Sequence, residues 1–401
     1  MESIREIYRI GAGPSSSHTM GPKNAAGIYK ARYPGAQAFR VTLYGSLAAT
    51  GKGHLTDAAI IEALLPAATE IVWRERDVLP EHPNGMRFEL VENGSVCEES
   101  AWVVYSIGGG ALYVPGQTRD VHLIYEECAL EEITIWCMEN GKPFWMYVKE
   151  HEEPEVWAYL GKVWDVMQRA MYRGLKTEGQ LSGGLRLQRK ARGYYLKAKR
   201  GDAMLRRNGI LSAYALAVSE ENAGGGEIVT APTCGSCGIL PAVLSFLCDY
   251  AEATEEDIIK GLATAGLVGN LVKANASISG AQVGCQGEVG TACAMAAAAA
   301  AQIMGGTLEE IEYAAEMGLE HHLGLTCDPV AGLVQIPCIE RNAFAATRAL
   351  DCADYSLLSD GRHRITFDEV VETMRQTGID MHASYRETAA GGLARVYHPV
   401  Y

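Results

Sequence analysis

Three cysteines late in the chain have the residue type and the setting for chemistry with a metal. Cys285, Cys327 and Cys338 each stand at a glycine- or proline-rich turn, where backbone can bend around an inorganic centre and donate N–H groups to it. Their separations of 42 and 11 residues differ from the close repeats of ferredoxins and zinc fingers. The spacing alone leaves three interpretations open: a metal centre, structural cysteines or a nucleophilic thiol.

The number of thiolates decides what a metal centre at these cysteines could do. A cubane cluster held by three cysteines leaves one iron open, and an open iron can act as a Lewis acid. A cluster with four cysteine ligands instead suits electron transfer. Three thiolates therefore favour chemistry on a bound molecule over the relay of electrons.

The other eight of the eleven cysteines do not predict a disulfide framework. The total of eleven is odd and the first residues lack a signal peptide, which favours a reducing compartment. Cys234 and Cys237 form a Cys-x-x-Cys pair, for which extra metal ligands, a redox pair and small loop residues all stay open. We expect the remaining six to be small buried hydrophobic residues: Cys97, Cys128, Cys137, Cys248, Cys293 and Cys352.

Two loops near the N-terminus carry histidines that are candidates for a catalytic base. His18 lies within a run of hydroxyl residues, and His54 follows Gly51–Gly53. An imidazole titrates near neutral pH and can take a proton from a substrate. The competing interpretation is recognition of a carboxylate by hydroxyl and backbone N–H groups that precede a helix. The candidates for this second role are Ser15, Ser16, Ser17 and Thr19.

Polar residues close to the cysteines add further candidates. Lys273, Ser277 and Ser279 are predicted to bind a substrate carboxylate, although Lys273 also fits a solvated helix end. The adjacent His321 and His322 could line a metal centre or complement the dipole of a helix end. Glu288 and Asp328 could orient groups at the centre or cap helices.

The first 150 residues are predicted to form a compact α+β domain that carries the histidine loops. Apolar alternation and turn residues predict the elements, and Asn93–Gly94 is typical of a hairpin turn. We predict helices over 22–32 and 56–65, and strands over 39–44, 71–73, 86–91, 102–106 and 133–138.

A mostly α-helical domain over residues 155–401 is predicted to carry the cysteines. The charged, proline-containing segment 150–155 marks the boundary. Capping boxes at Thr254–Asp257 and Thr307–Glu310 begin helices, and the alanine run 296–301 favours helix. The predicted fold class is therefore an α+β N-terminal domain followed by a mostly α-helical catalytic domain.

Composition limits the class of protein. The chain has 401 residues, 48% of them hydrophobic and 21% charged, with a net charge of −14. This balance excludes a largely disordered chain and argues against binding nucleic acid or an anionic membrane through bulk charge. The longest strongly apolar runs, such as 239–248, are about half of the ~20 residues that span a bilayer. We expect a cytoplasmic protein.

Several motifs resemble one known family. The most specific are Ser279–Gly290, Gly324–Asn342 and Tyr385–Leu393, which closely resemble the iron–sulfur-dependent L-serine dehydratases, also called L-serine ammonia-lyases. The resemblance spans nearly the whole chain. Its other motifs are Gly13–Pro22, Tyr44–Ala48, Gly51–His54, Ser106–Gly110, Leu181–Leu185 and Tyr214–Val218.

The resemblance implies a cofactor, a reaction and an assembly. In that family three cysteines hold a [4Fe–4S] cluster, and they match Cys285, Cys327 and Cys338. The open iron would bind the hydroxyl of L-serine while a base removes the α-proton, giving pyruvate and ammonia. The family's layout, an α+β domain before a helical one, fits, and a homodimer is expected.

Two departures from the family pattern and two alternative functions stay open. The loop 233–238 reads Thr-Cys-Gly-Ser-Cys-Gly where the family often has Thr-Asn-Gly-Ala-Ala-Gly, and the chain ends His398-Pro-Val-Tyr401 where some members end in a cysteine that caps the iron. A pyridoxal-phosphate lyase would need a Schiff-base lysine beside a phosphate loop, which no glycine cluster here provides. A cluster-based sensor or electron carrier is the alternative from another class.

Overall fold

A computed structural model of the protein describes residues 1–116 and 122–398. The chain end at 399–401, where no capping cysteine is predicted, lies outside the described residues. The strands are β1 Ile10–Ala12, β2 Ala38–Tyr44, β3 Ala68–Arg74, β4 Gly85–Glu92, β5 Ser95–Ile107, β6 Ala111–Tyr113 and β7 Glu227–Val229. The helices are α1 Gly21–Arg32, α2 Gly45–Ala49, α3 Thr56–Leu64, α4 Leu130–Asn140, α5 Phe144–His151, α6 Glu155–Lys176, α7 Ala191–Ala198, α8 Ala203–Ala223, α9 Ile239–Tyr250, α10 Glu255–Asn275, α11 Gly280–Val283, α12 Thr291–Ile303, α13 Leu308–Glu320, α14 Cys338–Leu357, α15 Phe367–Asp380 and α16 Gly392–Val396.

A five-stranded mixed sheet with helices forms the α+β part. Its strand order is β3-β2-β4-β5-β6, with β2 and β3 parallel and the other pairs antiparallel. The parallel pair is joined through α2 and α3, as a crossover connection requires. Tyr29 of α1 is fully buried against the ring of Phe88 in β4. The sheet and these helices thereby hold the loops with His18 and His54 at one edge.

Most predicted elements of this part are confirmed, and one is wrong. The hairpin turn at Asn93–Gly94 joins β4 to β5, with both residues at positive φ. Residues 133–138, predicted as a strand, belong to helix α4. Their β-branched and aromatic residues favour strand, but the buried Leu130, Ile133 and Cys137 follow helical spacing and face the core.

A helical assembly forms the second part of the chain, which confirms the predicted fold class. Its central helix α12 is buried on all sides between α9, α10, α13 and α14. The small side chains of Ala292, Ala294 and Ala296–Ala301 allow backbones to approach closely. Gly318 of α13 is an example, because a Cβ there would lie 2.9 Å from the Cα of Ala294.

The two hydrophobic cores do not follow the boundary predicted at 150–155. The sheet core draws on residues 25–104, whereas buried side chains of α4 and α5 belong to the core of the helical part. The N-terminus also crosses over, because β1 pairs with β7 and Ile4 and Ile7 lie in the helical core. The division into domains 1–150 and 155–401 therefore stays a prediction. In the structure, helices α4 and α5 pack with the later helices.

All eleven cysteines are free thiols. Of the six expected as small buried residues, Cys137, Cys293 and Cys352 are buried, and Cys97 and Cys248 are half-buried. Cys128 is exposed, so the expectation is wrong there, because this residue lies in the loop before α4. Among the described residues, no helix has the length and apolar character needed to cross a bilayer.

Candidate active site

One small buried cavity brings together the three cysteines singled out by their turns. Cys285, Cys327 and Cys338 all line it, together with His54 and Glu387. The Sγ atoms of Cys285 and Cys327 and a carboxylate oxygen of Glu288 lie within 4.8 Å of one another. Residues far apart in the sequence therefore converge on a space where thiols, an imidazole and carboxyl groups face each other.

Three different local structures position the cysteines. Cys285 precedes the π-helical turn Gln286–Gly290, and its carbonyl accepts the N–H of Val289. Cys327 is extended and exchanges backbone hydrogen bonds with the segment 385–387. Cys338 is the first residue of α14, after Pro337. Two of the three therefore stand at a helix start, where backbone N–H groups favour negative charge.

Burial and mutual proximity govern the protonation of the thiols. Contact with Cys285, followed by burial, raises the pKa of the Cys327 thiol well above its ordinary value. Burial, with Cys285 adding to it, does the same to the pKa of Cys338. The guanidinium of Arg341 opposes the shift at Cys338, and although burial alone would lower the pKa of Arg341, the three cysteines raise it. The thiols of Cys327 and Cys338 therefore hold their protons, which a bound metal would displace.

The residues present fit an iron–sulfur cluster. Thiolates are the usual ligands of such clusters, and three of them converge here without a disulfide. Gly280 leaves space beside these cysteines, because a Cβ at this position would lie 2.3 Å from Oε1 of Glu288 and 3.2 Å from Sγ of Cys327. Only glycine leaves that space open.

The two histidines lie against each other at the edge of the cavity. Their ring centroids are 4.5 Å apart. His54 lines the cavity, and its buried Nδ1 has no hydrogen-bond partner among the described residues. Burial lowers the pKa of His54 to about 3, and burial together with His54 lowers the pKa of His18 well below its usual range. Both rings are therefore neutral at neutral pH.

The hydroxyl-rich segment forms a π-helical turn, Ser16–Met20, which Ser15 caps. Ser15 Oγ accepts the N–H of His18 at 3.1 Å, and Ser17 Oγ lies 2.9 Å from Nδ1 of that ring. Thr19 Oγ1 donates to the carbonyl of His54 at 2.7 Å. Ser15 lines the cavity, whereas Ser16 is buried and is not among its lining residues. The turn thus fixes both histidines.

Glu387 is a site residue that the sequence reasoning missed. It lies within the motif Tyr385–Leu393 but was given no role there. Its Oε1 lies 3.4 Å from Nδ1 of His18, and its carboxylate lines the cysteine cavity. Burial, with Glu288 and Cys285 adding to it, raises the pKa of Glu387 well above its ordinary value. The signal available in the sequence was an acidic residue within a motif that is specific to the family.

Lys273, Ser277 and Ser279 do not line the cavity, and their assignment as substrate ligands stays a prediction. Nζ of Lys273 forms an ion pair with Glu2 at 2.7 Å, because helix α10 ends beside the N-terminal segment. Ser277 Oγ donates to Oε1 of Gln282 at 2.6 Å and accepts the N–H of Ser279, which closes a turn. The Ser279 hydroxyl is buried and has no partner among the described residues, so it stays a candidate.

The remaining polar candidates have structural surroundings. His321 and His322 lie at the end of α13 and bond to carbonyls of that helix. Asp328 Oδ2 accepts the N–H of Leu393 at 2.7 Å, as a helix cap does. Glu288 accepts a hydrogen bond from Thr233 and lines the cavity.

The Cys-x-x-Cys pair also has a structural environment. Cys234 and Cys237 are buried in a small apolar cluster with Met20 and Val218, and neither lines the cavity. Burial raises the pKa of both thiols. This surrounding matches the interpretation of small loop residues.

Comparison with known proteins gives full-length similarity. Residues 60–394 match the family described as serine dehydratase alpha chain, and residues 3–70 match the serine dehydratase beta chain. The chain is 41% identical to L-serine dehydratase 1 of Escherichia coli strain K12, covering 98% of this chain and 99% of that protein. It is 42% identical to L-serine dehydratase of Mycobacterium bovis (98% and 97% covered) and 39% identical to that of Streptomyces coelicolor (98% of each).

Proposed function

Because this chain belongs to the family of iron–sulfur-dependent L-serine dehydratases, we propose that it converts L-serine to pyruvate and ammonia with a [4Fe–4S] cluster as its cofactor. The single observation that carries the proposal is the convergence of Cys285, Cys327 and Cys338 on one cavity with His54. Relatives named L-serine dehydratase, similar over their whole length, support the reaction. The chemistry of the thiol ligands supports the cofactor.

The three cysteines would hold the cluster, and Arg341 would balance its charge. A cluster with three thiolate ligands supplies a Lewis acid for the substrate hydroxyl, a poor leaving group. Arg341 Nη1 donates to the carbonyl of Thr326 at 2.6 Å, next to Cys327. Its fixed positive charge stabilises neighbouring thiolates, because opposite charges favour the ionised form.

His54 would take the α-proton of the substrate at Nδ1. That atom is buried and has no partner among the described residues, and His54 lines the cavity. The ring is neutral at neutral pH, since burial keeps its pKa low, so it is not already protonated when the substrate binds. A positioned base of this kind contributes about 10²–10⁴-fold to a rate. The hydrogen bond from Thr19 to the His54 carbonyl keeps the ring in place.

His18 and the hydroxyl turn would orient the base and the substrate. His18 Nε2 lies 3.1 Å from Ser46 Oγ, and its ring packs against His54. Ser15 and Ser279 are the hydroxyl residues we assign to the substrate carboxylate, because Ser15 lines the cavity and the Ser279 hydroxyl is free to bond. Ser16, Ser17 and Thr19 then act by holding the turn.

The overall reaction is balanced without a further reactant. Removal of the α-proton and of the hydroxyl as water leaves 2-aminoacrylate, which tautomerises and adds water to give pyruvate and ammonium. The chain therefore needs to complete only the first elimination, and the buried cavity shields that step from solvent.

We also propose that the protein acts as a homodimer in the cytoplasm, on a small-molecule substrate. The acidic composition supports a role without nucleic acid or a membrane surface. Analytical ultracentrifugation of the protein prepared without oxygen measures its mass directly. A mass near 43.2 kDa, that of one chain, would contradict the dimer.

Purification under strict exclusion of oxygen tests the proposed reaction. We expect iron and sulfide in the protein, and pyruvate and ammonia formed from L-serine, with activity lost on exposure to air. Activity that survives air and disappears with an aldehyde scavenger would indicate a pyridoxal-phosphate enzyme instead. Iron without turnover would indicate a sensor or an electron carrier.

A further inference from the structure

The buried carboxylate of Glu387 has one oxygen without a partner. Oε1 lies 3.4 Å from Nδ1 of His18, whereas Oε2 is buried and forms no hydrogen bond within residues 1–116 and 122–398. An unpaired buried carboxylate oxygen is costly, because the water that it loses on folding is not replaced. Buried polar atoms of this kind are expected where a ligand completes their bonding.

The backbone fixes this carboxylate at the cavity from both sides. The N–H of Glu387 donates to the carbonyl of Cys327 at 2.8 Å, and its own carbonyl accepts the hydroxyl of Ser46 at 2.8 Å. Its φ of +56° lies in the left-handed region, which costs a residue with a side chain on the order of 1 kcal/mol or more. A conformation of this kind persists only where its surroundings hold it, as they do here.

Glu387 lies in a cavity whose other nearby charged groups are acidic, so a bound cation would complete its surroundings. In the part of the chain that the structure describes, no lysine or arginine pairs with it, and its neighbour His18 is kept neutral by burial. The other acidic residue of the cavity, Glu288, already accepts a hydrogen bond from Thr233. Arg341 is directed at Thr326 and Asp328 instead.

We propose that Glu387 binds the α-ammonium group of the amino-acid substrate and thereby selects amino acids over hydroxy acids. The inference rests on the proposed function, because the same cavity holds the cysteines and His54. The ammonium group supplies both the positive charge and the donors that Oε2 lacks. It also brings the α-carbon close to His54, because a ring nitrogen of His54 and a carboxylate oxygen of Glu387 lie within 4.8 Å of each other.

A metal ion is a weaker explanation for the same residues. The ligand atoms of His18, His54 and Glu387 lie within 4.8 Å of one another. However, His18 Nδ1 already contacts Ser17, and its Nε2 contacts Ser46. Of these three residues, the buried atoms without a hydrogen-bond partner among the described residues are His54 Nδ1 and Glu387 Oε2, which is fewer than the three protein ligands of a typical catalytic metal site.

The experiment compares two ligands that differ in this one group. L-Serine and L-glycerate share the carboxylate and the β-hydroxyl, but glycerate has a hydroxyl in place of the ammonium. Turnover of L-serine, and its inhibition by L-glycerate, are measured on the oxygen-free holoenzyme for wild type and for E387Q. Glu316→Gln is the matched control, because Glu316 is another buried glutamate whose side chain lines a different cleft.

We expect the wild type to prefer L-serine over L-glycerate by 100-fold or more, comparing KM with the inhibition constant. E387Q should lower that preference at least tenfold, because serine should bind more weakly while glycerate binds as in wild type or more tightly. E316Q should keep the wild-type ratio. The serine-induced change in the visible absorption of the cluster should require correspondingly more serine in E387Q. A purely structural role would weaken both ligands alike.

Two results would overturn the inference. One is an E387Q enzyme that contains iron and keeps the wild-type preference within threefold. The other result needs only the wild type: if L-glycerate binds within threefold as tightly as L-serine, no carboxylate in the site selects for the ammonium group. This comparison still tests the inference if E387Q loses its cluster. Wild type that turns over no serine defeats the proposed function itself, whereas turnover without selectivity defeats only the role of Glu387.

Discussion

Oε1 of Glu387 lies 3.4 Å from Nδ1 of His18. The contact joins the hydroxyl-rich turn near the N-terminus to a segment near the C-terminus, and the same segment exchanges backbone hydrogen bonds with Cys327. The α+β part and the helical part therefore each supply one side of the candidate active site. Folding of both parts is required before the histidines and the cysteines face each other.

Replacement of His54 by asparagine should reduce kcat for L-serine by about 10²–10⁴-fold, because the proposed base is lost. Asparagine retains a polar atom near the position of Nδ1 and fills most of the space. Steady-state kinetics under anoxia measure the effect, with iron content as the check that the cluster is kept. His321→Gln, at a half-exposed helix end, is the control and should keep its rate. An iron-containing H54N enzyme within threefold of wild type would remove His54 from the mechanism.

Gly280→Ala should impair cluster assembly without unfolding the protein. The added Cβ would lie 2.3 Å from Oε1 of Glu288 and 3.2 Å from Sγ of Cys327, so the side chains around the proposed cluster must move. We expect at least a fivefold loss of iron per chain, measured by colorimetric assay after reconstitution. Gly184→Ala is the matched control, since a Cβ there meets nothing within 4 Å. Equal iron in the two variants would contradict the placement of the cluster.

Lys273→Met should leave KM for L-serine within twofold of the wild-type value. Its Nζ forms an ion pair with Glu2 and does not line the cavity, so the substitution should lower stability and not substrate binding. A partly buried pair of this kind is worth about 1 kcal/mol, which should appear as a small decrease of Tm. A tenfold increase of KM would return Lys273 to the substrate site.

Glu220→Gln should change how stability depends on pH. Burial, opposed by the backbone N–H groups of Lys190 and Ala191, raises the pKa of Glu220 to about 7. A carboxyl whose pKa is raised on folding stabilises the protein fully below its ordinary value of 4.5 and loses that contribution as pH rises through 7. This pH-dependent contribution to the free energy of unfolding is at most about 3 kcal/mol, and it is absent in the variant.

Thermal unfolding of both proteins from pH 4 to pH 8 measures this effect of Glu220. The Tm of the variant relative to that of wild type should rise as pH increases through the interval from 5 to 7. Parallel Tm curves for the two proteins would show that Glu220 does not titrate in that interval.

Local patterns were sufficient for most of the fold. Strand alternation and the Asn93–Gly94 turn predicted the sheet, and capping boxes predicted the starts of α10 and α13. Residues 133–138 are predicted as a strand because their β-branched and aromatic residues favour strand, whereas they belong to a helix whose buried residues follow helical spacing. Such burial depends on partners that a local window does not contain.

The sequence predicts only those site residues that stand in recognisable glycine- or proline-containing turns. The three cysteines stand beside glycine or proline, and the structure brings them to one cavity. Glu387 becomes a site residue only through contacts with His18 and Cys327, which the chain reaches by folding. Lys273 is near in sequence to the cysteines, yet the direction of α10 carries it to the N-terminus.

Iron and acid-labile sulfide, measured together with serine deamination in oxygen-free protein, test the central claim most directly. Wild type should contain about four of each per chain, as a [4Fe–4S] cluster requires, and should form pyruvate from L-serine. Cys285→Ala, Cys327→Ala and Cys338→Ala should each lose both properties. Cys234→Ala should retain the visible absorption of thiolate-bound iron. Serine deamination by a wild-type protein that contains no iron would contradict the account.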